Sequence, residues 1–127
     1  MNAETVFTQE WTREAFPPER SDVFFDALFG DAEEGAYDIA LRFVQAGKDS
    51  LEFAFDLHQR PGKCLVCNLT YGLPQVFSRH PVINVKGLVE KIGLAAGADP
   101  AKTTWKLGTT KEISNALHSV PLLISLN

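Results

Sequence analysis

The sequence predicts an α+β fold, a two-layer sandwich with helices on one face of a mostly antiparallel sheet. Three observations carry that expectation. Residues 37–57 contain two runs that alternate apolar and polar side chains with a period of two. A short turn containing Gly47 joins the runs. Apolar residues recur at helical spacing from Val23 and again from Val85.

Each element follows in order. In the acidic stretch 1–16, Phe7, Trp11 and Ala15 sit four apart, as on a helix face. The stretch reads as a loosely attached N-terminal segment of a single 1–127 domain. Pro17-Pro18 ends any such helix and can begin the next. From an N-cap at Ser21, Val23, Phe24, Ala27 and Leu28 follow helical spacing, and Gly30 supplies a left-handed stop.

Tyr37, Ile39, Leu41 and Phe43 then alternate with Asp38, Ala40 and Arg42. After the turn over Gln45–Asp49, Leu51, Phe53, Phe55 and Leu57 alternate with Glu52, Ala54, Asp56 and His58. The pair reads as an antiparallel hairpin with one wet face. Arg60-Pro61-Gly62-Lys63 suits a type II turn, so 63–70 should return as the third strand of a meander. An irregular connection follows from Tyr71 to Pro81.

Asn84 caps a helix whose Val85, Leu88, Val89 and Ile92 form one apolar stripe. Gly93, Gly97 and Asp99-Pro100 end it. Thr103, Trp105 and Leu107 alternate as a short strand. Thr109-Thr110-Lys111-Glu112 has the spacing of a capping box and predicts a helix through Ile113, Ala116 and Leu117. Pro121 opens a last strand, Leu122 to Leu126, with apolar groups on both faces as an inner strand has. The resulting order is α-βββ-α-β-α-β. The predicted core is Ile39, Leu41, Phe43, Leu51, Phe53, Phe55, Val85, Leu88, Ile92, Trp105, Leu117 and Ile124.

Composition bounds the function. Apolar residues at 45%, with nine Phe and two Trp, give a 127-residue chain enough buried surface to fold without a disulfide or metal staple. The start of the sequence carries no secretory pattern, and no apolar run approaches the ~20 residues of a membrane span. Two closely spaced cysteines fit a reducing, cytoplasmic setting. Net charge is −4, unevenly spread: residues 1–56 hold thirteen acids and four bases, and residues 57–127 hold eight bases and three acids. Interleaved in one domain, the halves neutralise each other.

Candidate chemistry is sparse. Cys64 and Cys67, with His80 twelve residues on, match three positions of a zinc pattern, but Asn84 and Lys86 stand where the fourth ligand belongs. In a strand, residues three apart point to opposite faces, so neither a metal site nor another cofactor is expected. A reactive thiol pair wants a helix N-terminus, and Asn68 to Gly72 offers none. Asp38, Glu52 and Asp56 lie on the wet face, where no pocket raises a carboxyl pKa. His58, His80 and His118 share no motif with a nucleophile, and no phosphate-loop pattern occurs.

The stretch from His58 to Lys91 stands out, with His58, Arg60, Lys63, Arg79, His80, Lys86 and Lys91 against the single acid Glu90. Tyr71 and Phe77 lie among them. Arginine forks and aromatic faces suit an anion-binding surface, and the helix starting near Asn84 would add its positive end. Arg60, Lys63, Tyr71, Arg79, His80 and Lys86 are therefore the candidate ligand-binding residues. They predict a non-enzymatic binding or regulatory module for a small anion or an acidic protein. The alternative is a small enzyme with a site assembled around Tyr71, Arg79 and His80. Neither nucleic acid, disfavoured by the overall acidity, nor a membrane is an expected partner.

The C-terminal third, Trp105-Lys106-Leu107-Gly108 through Leu117-His118-Ser119-Val120-Pro121-Leu122, resembles a small family of uncharacterised bacterial proteins of about this length. The resemblance implies a compact bacterial domain and no particular activity.

Overall fold

The computed structural model describes residues 3–30, 37–62 and 73–126. Its helices are α1 (Ala3–Val6), α2 (Gln9–Ala15), α3 (Arg20–Phe29), α4 (Leu73–Arg79) and α5 (Val85–Ala95). Its strands are β1 (Tyr37–Ala46), β2 (Ser50–Gln59), β3 (Thr104–Leu107), β4 (Lys111–Ser114) and β5 (Leu117–Ser125). Every pairing is antiparallel, in the order β1-β2-β5-β3, with β4 also paired to β5. The α+β sandwich is as expected.

β1 and β2 form the expected hairpin, closed by a Gly47 N–H to Ser50 carbonyl bond of 2.9 Å and interrupted by one bulge between Phe43 and Gln45. Alternation turns Tyr37, Ile39, Leu41 and Phe43, and Leu51, Phe53, Phe55 and Leu57, toward the helices. Aromatic rings fill the interface there. Phe7 packs on Phe53 and Phe43, Phe16 and Phe77 pack edge-on against Phe55, and Phe25 packs against Tyr37. Such contacts add about 0.5–1.5 kcal/mol each to the burial itself. The N-terminal stretch buries Ala3, Phe7, Ala15 and Phe16 in the core cluster. It is two helices rather than one, because Thr8 breaks the run and caps α2 through Trp11 N–H.

α3 starts one residue before Ser21, at the end of the turn set by Pro17-Pro18. Ser21 is therefore not a cap. Its hydroxyl accepts the Ile39 N–H at 2.8 Å and meets the Ile39 carbonyl at 3.4 Å. Among the described strands β1 is an edge, so Ser21 occupies Ile39 backbone groups that would otherwise invite another strand. Phe24 and Phe25 of α3 are buried, while Val23 faces outward. Gly30 is the left-handed stop, at φ 79°.

Gly62 has the positive φ, 77°, that the predicted turn requires. The third meander strand, 63–70, lies outside the described residues, as do Cys64 and Cys67. Part of the supposed irregular connection is α4, which buries Leu73 and Phe77 one turn apart. Asn84 caps α5 as expected, its side chain accepting from Gly87 N–H, and the stripe Val85, Leu88, Val89 and Ile92 is buried.

The predicted helix after Thr109 is instead strand β4 and the turn into β5. Lys111 pairs with Ser119 and Glu112 with His118, so ladder bonds to β5 replace the local capping signal. β5 accordingly begins at Leu117, and Pro121 stands in its interior rather than at its start. The proline is tolerated because of where it falls. A residue's N–H and C=O point the same way in an antiparallel ladder, and the Pro121 carbonyl accepts the Gly108 N–H at 2.8 Å. The missing Pro121 N–H thus faces the notch between β3, whose pairing ends at Leu122, and β4, whose pairing starts at Ser119. Gly108 fits against that ring; a Cβ there would lie 3.3 Å from Pro121 Cβ and Cγ.

Of the predicted core, Ile39, Leu41, Leu51, Phe53, Phe55, Val85, Leu88, Ile92 and Ile124 are buried. Phe43 and Trp105 are partly buried against them, and Leu117, on the other face, is partly exposed.

Burial beside Phe25 also pushes the Tyr37 phenol above its ordinary pKa of 10.0. Above about pH 10 the unfolded chain loses this proton while the folded one keeps it, so stability falls as pH rises. Melting curves across alkaline pH should therefore fall more steeply for the parent than for Tyr37→Phe. Parallel curves would contradict the burial of this hydroxyl.

Candidate functional site

The six residues singled out from the sequence are placed only in part. Lys63 and Tyr71 lie outside the described residues. Arg60 is 16% exposed and already engaged: it donates to Asp38 at 2.9 and 3.1 Å and to Asp22 at 2.7 Å, with its guanidinium 5.3 Å from the Phe25 ring centroid. It ties β2 to β1 and α3, joining the basic half of the sequence to the acidic half.

The other three, Arg79, His80 and Lys86, lie at the end of α4, just after it and in the first turn of α5. α3 stands between them and Arg60, since Phe24 meets the His80 ring at 4.8 Å while the neighbouring Phe25 meets Arg60. Arg79 is exposed in the last turn of α4. His80 Nδ1 accepts the Val82 N–H at 3.2 Å, which fixes the ring and leaves Nε2 as its second polar atom. Lys86 is exposed in the first turn of α5, which carries no acid. Among the described residues, no ion pair engages Arg79 or Lys86. Phe77, the aromatic expected to offer a stacking face, is buried in the core.

A second polar cluster was not anticipated. Asp56, expected in solvent with Asp38 and Glu52, is 7% exposed. Its Oδ2 accepts from Arg42 Nε at 2.7 Å, and its Oδ1 accepts from Arg42 Nη2 at 3.3 Å and from Ser119 Oγ at 2.9 Å. The hydrogen bond that Arg42 donates to Asp56 holds the guanidinium pKa above its usual value, against a smaller opposing effect of burial. Alternation gives the face of a strand residue, not its depth. Asp56 is buried because β5 runs along the far side of β2 and sets Ser119 opposite it. The Ser119 hydroxyl donates to Asp56, so the cluster braces β1, β2 and β5.

The histidines are likewise dispersed. His58 is exposed on the face away from the helices, and His118, opposite Leu57, is buried on the helical face. Among the described residues, no three His, Cys, Asp or Glu side chains stand together as a metal site. Nor is any described helix long and apolar enough to cross a membrane. Comparison of the chain with protein-family models, with curated proteins and with solved structures finds no match.

The two carboxylates Asp38 and Asp56 separate the structural reading from the sequence-based one. Asp56→Ala strands the buried Ser119 hydroxyl and should cost about 1–3 kcal/mol in urea unfolding. Asp38→Ala removes an exposed pair and should cost no more than about 1 kcal/mol. Equal effects would place both side chains in water.

Proposed function

We propose that this chain is a non-enzymatic binding or regulatory module of the cytoplasm, and that it takes a small anion or an acidic partner at the α4–α5 corner. One observation carries the reading: Arg79, His80 and Lys86 flank the connection into a helix whose first turn contains no acid. Helix N-termini favour negative charge, and a lysine there opposes the dipole by a few tenths of a kcal/mol. An anion at this corner would relieve that opposition and accept from the outward N–H groups that no helix satisfies internally. Arg79 offers a planar fork and Lys86 a point charge. His80 is held by Val82 and Phe24 and can donate through Nε2. The dispersed histidines and the acceptor-saturated Asp56 favour recognition over catalysis.

Thermal-shift titrations with inorganic phosphate and with an acidic peptide test this reading, since a ligand of the native state raises apparent stability. The melting temperature should rise with either ligand, and the rise should shrink as salt is added and vanish in Arg79→Gln/Lys86→Gln. A rise that survives the double substitution, or no rise with either ligand, would refute it.

A further inference from the structure

We infer a second, independent ligand site on the sheet face that the helices leave uncovered: a trough that takes a small zwitterion, with a carboxylate and an ammonium in one molecule. Register defines it. Ser50, Ser125 and Thr104 stand side by side across β2, β5 and β3, and Glu52, Leu123 and Lys106 form the next row. Their alternating neighbours Leu51, Ile124 and Trp105 belong to the helical face and its core. The six side chains of the two rows therefore share the opposite face. There they line a cavity of about 510 Å³ bounded at one end by the β1–β2 turn. That volume is within the roughly 300–1,000 Å³ of small-molecule sites.

Its chemistry is polarised. Lys106 forms one wall and Glu52 the other, two strands apart, which sets their Cα atoms roughly 10 Å from each other. Among the described residues neither forms an ion pair, although Arg42, which is held by Asp56, also interacts favourably with Glu52 through space. Glu52 is oriented by the Gln45 amide, which donates to its Oε1 at 3.2 Å and leaves Oε2 for a ligand. Between the walls lies half-buried Leu123, an apolar floor, and the second row adds hydroxyls from Ser50 and Thr104. A carboxylate toward Lys106, an ammonium toward Glu52 and a short aliphatic body over Leu123 match this arrangement. A purely anionic ligand would meet Glu52, and a purely cationic one would meet Lys106.

The probe is 6-aminohexanoate, with hexanoate and hexylamine as single-charge controls, followed by amide NMR shifts of the intact chain. The zwitterion should shift the amides of Glu52, Leu123 and Lys106 saturably, more tightly than either control. Lys106→Gln and Glu52→Gln, both on exposed or half-exposed positions, should each weaken binding by about tenfold. No saturable shift up to the solubility limit would overturn the site. So would equal binding of a single-charge control, or affinity that both substitutions leave unchanged.

Discussion

The two-sided pairing of β5 is the constraint on which the rest of this structure depends. One edge of the strand pairs with β2 from Ser50 to His58, and the other holds β3 and β4. Without it, the β1–β2 hairpin would have an open second edge, and the two short strands would have nothing to pair with. Its Val120, Leu122 and Ile124 extend the apolar row of Phe55, Phe53 and Leu51 on which the helices pack. Its Ser119 sinks Asp56 and so holds Arg42. Even its proline falls at the one place between β3 and β4 where no ladder donor is due. The bond from Ser119 to Asp56 spans 63 positions of the chain. The loop-closure cost of such pairing is met only when the chain end is in place.

That long range also explains what was legible in the sequence. Alternation from Tyr37 to Leu57 reported the helical face of two strands, because period two is a local property. Asn84, Gly30 and Gly62 reported a cap, a stop and a turn, because backbone geometry at these positions is set within a few residues. The segment from Thr109 to Leu117 reported a helix start and became a strand, because its ladder partner, β5, overrode the weak local preference. Asp56 looked wet because nothing beside it in sequence foretold Ser119. Arg60 looked available because Asp22, which holds it, precedes it by 38 residues.

The candidate sites divide along the same line. The α4–α5 corner was visible in outline, since Arg79, His80 and Lys86 are near neighbours in the chain and the helix start at Asn84 has a local signal. The trough had no signal at all. Its walls come from β2 and β3, and its floor from a strand laid between them. Both proposed sites thus draw on charges that form no ion pair among the described residues. Arg42 and Arg60 are held in ion pairs, while Arg79, Lys86 and Lys106 form none among the described residues.

Removal of Leu122 to Asn127 tests the dependence on β5 most directly. Full burial of each Leu or Ile contributes roughly 1.5–3 kcal/mol, against a total stability of about 5–15 kcal/mol for a domain. The deletion also unpairs β3 and exposes half of the β2 edge. Followed by circular dichroism during heating, the shortened chain should show no cooperative transition. A cooperative transition near the temperature of the full chain would contradict the account, and would show that the helices and the β1–β2 hairpin hold together without the strand between β2 and β3.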